Sequence, residues 1–206
     1  YEALEGNLTG SNNSAIGYRS LYENTSGYSN IAIGTSALRL NTDRSNLIAI
    51  GDSALFNNST GFQNTALGSK ALYNNTTGAF QVAVGDSALF SNTGNFHNFN
   101  TALGSQAGAF NASSSVTIYI GFRSGWRSSG GGSNIFIGSY SGENSTGNDN
   151  IGLGGQTLRS TSGIRNVALG SFVMENNSIG SENVAVGTFS LSGNITGSSN
   201  TVVGYN

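Results

Sequence analysis

The sequence predicts an all-β protein, a parallel β-solenoid of about 12 coils with one coil for every ~17 residues, in one domain over 1–206. Three observations carry this reading. A glycine recurs in phase along the whole chain, an apolar–small–apolar triplet precedes it each time, and the 206 residues contain no proline. The phase glycine falls at Gly17, Gly34, Gly51, Gly68, Gly85, Gly104, Gly121, Gly138, Gly154, Gly170, Gly187 and Gly204, at intervals of 16, 17 or 19 residues averaging 17. Such an array leaves no stretch for a second domain or a linker.

Each repeat opens on a polar residue, usually Asn, as at Asn13, Asn30, Asn64, Asn100 and Asn134. Stacked coils bring these amides into a column where each can hydrogen-bond the coil above or below. The triplet follows, as in Ile31-Ala32-Ile33 and Val82-Ala83-Val84. Its period of two is that of a short strand. The glycine supplies a turn, and a small–large pair comes next, as in Ala37-Leu38 and Ala71-Leu72. A polar turn such as Asn57-Asn58-Ser59-Thr60-Gly61 closes the unit. A helical repeat is excluded by length, because helical solenoid units run about 33 to 47 residues. Complete absence of proline suits a ladder that needs every backbone donor. The two aliphatics of each triplet are expected to point into the coil and the small residue outward. The resulting column of Ala on the outer face would admit a second chain at close range, which predicts a homo-oligomer around a shared axis. Tyr22, Phe56, Tyr73 and Phe90 either extend that interface or pack within one chain.

Composition narrows the function. Lys and Arg number 8 against 10 Asp and Glu, and charged residues make up only 9% of the chain, which argues against a nucleic-acid or anionic-membrane partner. There is no Cys, so neither a disulfide framework nor a cysteine zinc site is possible. Nothing in the sequence is long and apolar enough to span a membrane as a helix. The chain has one His, and its acids are dispersed. Asp52 and Asp86 share a repeat position two coils apart, but no converging acid–base set accompanies them. The expected protein is therefore not an enzyme and uses no cofactor or metal. Asn-x-Ser/Thr sites occur at Asn7, Asn12, Asn24, Asn57, Asn58, Asn74, Asn75, Asn111, Asn144, Asn176 and Asn194, as composition alone would produce. An ice-binding β-solenoid is the alternative function. It calls for a regular array of Thr on one face, and here Thr65, Thr101 and Thr201 stand scattered among Ile and Val.

Stretches such as Asn30-Ile31-Ala32-Ile33-Gly34 and Asn64-Thr65-Ala66-Leu67-Gly68-Ser69-Lys70-Ala71-Leu72 resemble the head repeats of trimeric autotransporter adhesins of the Yersinia adhesin type. They are also similar to repeats in phage tail fibres and bacterial surface fibres. The resemblance covers all the coils. It implies a left-handed parallel β-roll, three chains side by side, and an extracellular adhesive or spacer rod on a bacterial surface or a virion fibre. Host-surface glycans or protein receptors would be its partners. The adhesin heads repeat at a shorter interval than the 17 residues here, the extra residues falling in the Asn/Thr/Gly turn. The chain is expected to be a section of a longer fibre.

A binding site is expected where the repeat is most disturbed. The 19-residue interval after Gly85 carries His97, and the following coils place Tyr119 and Phe136 where Ala is usual. Trp126 is the sole Trp and lies between Arg123 and Arg127, with Phe122 close in sequence. Aromatic faces beside guanidinium groups suit a sugar or an acidic glycan. The candidate binding residues are His97, Tyr119, Phe122, Arg123, Trp126 and Arg127. The competing reading is that these aromatics fill a locally wider core or interface.

Overall fold

The computed structural model describes residues 1–92, 98–111, 116–129 and 131–206. Among the described residues, twelve strands of three residues run from β1 (Ser14–Ile16) to β12 (Thr201–Val203), each ending just before a phase glycine. They pair strictly in chain order within one parallel sheet. The register is unshifted, so Ala32 faces Ala15 on one side and Ala49 on the other. Sequential parallel pairing means that the chain returns to the same place once per repeat. The molecule is a β-solenoid, and among the described residues there is no helix.

The faces of the strand are the reverse of the expectation from sequence. Ala32, Ala49, Ala66 and Ala83 are completely buried. The flanking aliphatics turn outward, Leu67 at 43% and Leu103 at 48% exposure. The cause is the opposite wall of the coil. Leu38, Leu55, Leu72 and Leu89 are fully buried in the same cluster as the strand alanines. A leucine reaching across so narrow a coil leaves room for a methyl group on the strand side and nothing larger.

That opposite wall is held by an unusual backbone. Ser36 and Leu38 have φ of 56° and 51°, and Ser53 and Leu55 repeat the pattern at 54° and 50°. Left-handed serine and leucine residues are costly when isolated. Here each one completes an inter-coil hydrogen bond. The Ser36 N–H donates to the Tyr18 carbonyl of the preceding coil at 2.8 Å, and the Leu38 N–H to the Ala54 carbonyl of the following one at 3.0 Å. The wall thus forms a ladder along the axis without being a strand.

The core changes composition midway. In β7 (Ile118–Ile120) and β8 (Ile135–Ile137) the central residues are Tyr119 and Phe136, both fully buried. Across the coil the usual leucine is replaced by Gly108, Gly125 and Gly142. A Cβ on Gly125 would lie 2.0 Å from the Tyr119 ring, and one on Gly142 would lie 2.4 Å from Phe136. The bulk has moved from one wall to the other, as close packing requires.

Two columns of asparagine bind the coils together. Asn166 illustrates the one expected from sequence: its Oδ1 accepts the Asn183 N–H at 3.0 Å and its Nδ2 donates to the Gly180 carbonyl at 2.9 Å. The second column lies seven residues beyond the phase glycine. There Asn75 Nδ2 donates to Asn58 Oδ1 at 3.1 Å and to the Gly78 carbonyl at 3.0 Å. Buried amides satisfied in this way fix the stacking register.

Candidate binding cleft on the aromatic wall

Five residues beyond the phase glycine, the side chains of successive coils stand above one another on the wall that follows the turn. Phe56 stacks on Tyr73 with centroids 5.2 Å apart, and Tyr73 stacks on Phe90 at 5.3 Å. The next residue of the column is Ala109, and Trp126 follows it. The small residue opens the column. Phe110, one position further on, leans against the gap, edge-on to Trp126 at 5.4 Å and to Phe90 at 6.3 Å. The result is a cleft of about 340 Å³ between Phe90, Phe110 and Trp126. Ligand pockets commonly start near ~300 Å³.

A polar column three residues earlier in each coil supplies the other side of the cleft, with Lys70, Ser87, Gln106 and Arg123. Arg123 is held in place from several directions. Its Nε donates to Gln106 Oε1 at 2.7 Å, and its guanidinium lies 4.9 Å from the Trp126 centroid and 5.3 Å from that of Phe122. Arg127 covers Trp126 at 4.5 Å. Among the described residues, no acidic side chain lines the cleft. Elsewhere most of the cations are paired: Arg19 with Glu2, Arg44 with Asp43, Arg159 with Glu143 and Glu175, and Arg165 with Glu182, while Arg39 lies over the Phe56 ring. The Arg159 pKa is raised, first by its hydrogen bond to Glu143. Among the described residues, Lys70, Arg123 and Arg127 have, like Arg39, no carboxylate within ion-pair distance, and these three gather at one place. The cleft is a local excess of positive charge on an acidic chain.

The structure brings together four of the six residues expected from sequence. Arg123 and Trp126 line the cleft, with Arg127 and the 41%-exposed Phe122 beside them. Tyr119 is corrected: it fills the core, stacked on Phe136, and offers no surface to a ligand. His97 lies outside the described residues. Lys70, Phe90, Gln106 and Phe110 were not anticipated as site residues. Their signal was available in the register, since Gln106 stands at the repeat position of Lys70 and Arg123, and Ala109 interrupts the aromatic series at the position of Phe90 and Trp126.

Among the described residues, no group of three or more His, Cys, Asp or Glu could hold a metal ion. The fold is a parallel β-solenoid, and it carries a cationic aromatic cleft. No family model, no curated protein and no solved structure matches this chain.

Proposed function

We propose that this chain is a non-enzymatic rod that works as a side-by-side homotrimer, an adhesive or spacer segment of an extracellular surface adhesin or phage tail fibre. The observation that supports it most is the outward face of the sheet. Ile31, Leu67, Val82, Leu103, Ile137 and Leu153 are each between 37% and 48% exposed. At roughly 4.8 Å per coil and 3.3 Å per strand residue, this face is about 55 Å by 10 Å. It is comparable to the largest apolar patch on an ordinary monomer, roughly 300–600 Å². A second copy of the chain is the natural occupant, because its ridges have the same spacing and mesh along the whole length. The number of chains, three, and the left-handed coil come from the resemblance to adhesin heads. Light scattering of the purified chain tests the assembly: a three-chain mass is expected, and a stable monomer at micromolar concentration overturns it. The ice-binding alternative has the flat regular sheet in its favour but only Thr65, Thr101 and Thr201 at the strand-opening position. Thermal hysteresis in solution would favour that alternative over the rod.

A further inference from the structure

We infer that the cleft between Phe90, Phe110 and Trp126 binds an anionic saccharide, a sugar bearing a carboxylate or a sulfate. This deepens the rod reading, and rests on it only in taking the wall after the phase glycine to be left uncovered when copies meet through the strand face. The shape of the cleft comes from one break in an otherwise continuous series. Phe56, Tyr73 and Phe90 stack at 5.2 and 5.3 Å, and Ala109 removes the next ring. A sugar ring is an aliphatic plate with polarised C–H bonds on its faces. It suits the electron-rich face of an aromatic ring, and here it would lie beside Phe110 against the rings that the break leaves accessible.

The charge of the site selects the sugar. Lys70 and Arg123 reach the same cleft from coils separated by three repeats, and among the described residues no carboxylate lines it. Arg123 uses its Nε on Gln106 at 2.7 Å. Both Nη groups lack a carboxylate partner among the described residues. A guanidinium fixed on one edge and held 4.9 Å from the Trp126 centroid is prepared for forked hydrogen bonds to a carboxylate or sulfate. Lys70 adds a point charge at the far end. Ser87 and Gln106 provide neutral hydrogen-bonding groups of the kind that sugar hydroxyls accept.

The test is titration calorimetry of the intact chain with a trigalacturonate, its methyl ester, and a trisaccharide whose one charged group is an O-sulfate. Binding of the trigalacturonate with the ester at least about tenfold weaker is expected for a carboxylate site. Binding of the sulfated sugar alone assigns the anion as sulfate and equally supports the cleft. Lys70→Gln and Arg123→Gln should each weaken binding by about tenfold with an unchanged circular-dichroism spectrum. Lys70 is exposed, so its substitution does not act through folding. Equal binding of the ester, binding that survives both substitutions, or no binding of any of the three sugars overturns the assignment. The outcome is separable from that of the rod reading. A monomer that binds the acid defeats the rod and keeps the cleft, and a trimer that ignores all three sugars does the reverse.

Discussion

Gly51 has φ of +134°, and a Cβ there would sit 2.4 Å from the Gly68 carbonyl oxygen in the next coil. Both the backbone and the neighbouring coil exclude a side chain. Gly51→Ala is expected to cost about 2 kcal/mol or more, seen as a lower midpoint in thermal or urea unfolding. Gly193 has nothing within 4 Å of its would-be Cβ and no left-handed φ, so Gly193→Ala should be near neutral in the same measurement. The first glycine announces itself in the sequence by its period. The asparagines divide less cleanly. Asn24, Asn58 and Asn75 read as ordinary turn residues and as glycosylation acceptors, yet all three are fully buried. Their amides are committed to one another and to glycine carbonyls. Turn asparagines and ladder asparagines share the same sequence signature, and only burial separates them.

At the scale of the strand, a period of two identifies the element without saying which face is inside. Exchanging large-in for small-in leaves the pattern unchanged, so Ile31-Ala32-Ile33 fits either. The decision belongs to the facing wall, where Leu38 already occupies the interior. The same coupling explains why Tyr119 and Phe136 stand among glycines, and it makes a quantitative expectation. Gly125 has φ of +59°, close to the 51° that Leu38 adopts at the equivalent position, so the backbone accepts leucine there. The obstacle is the Tyr119 ring, 2.0 Å from the would-be Cβ. Gly125→Leu alone should destabilise by about 3 kcal/mol through overpacking. Tyr119→Ala alone should cost a similar ~3–5 kcal/mol through the cavity it leaves. The double variant restores the Ala–Leu pairing of the other coils and should recover about 3 kcal/mol of the combined loss. A double-mutant cycle by chemical unfolding is expected to give a coupling near the top of the ~0.5–3 kcal/mol range for touching residues. Additive losses would show that the two walls do not exchange volume.

At the scale of the whole molecule, the number of coils and their order were legible because a tandem array states them directly. The outward face was not legible: the alanine column expected there is core, and the aliphatics expected in the core form the outer face. About 500 Å² of that apolar face on each chain would leave water if copies meet through it, and an unpaired charge is costly to bury there. A few charges at its centre should therefore decide the oligomeric state. Leu67 and Leu103 stand on the same outward column, 43% and 48% exposed, with Val84 between them in register. Leu67→Lys with Leu103→Lys should keep the circular-dichroism spectrum of the solenoid, because neither side chain enters the coil. The mass by light scattering should fall from three chains to one. Ala66→Lys, one residue away and fully buried, should instead unfold the coils around it. A double lysine variant that retains the three-chain mass would remove the strand face as the interface and leave the solenoid itself intact.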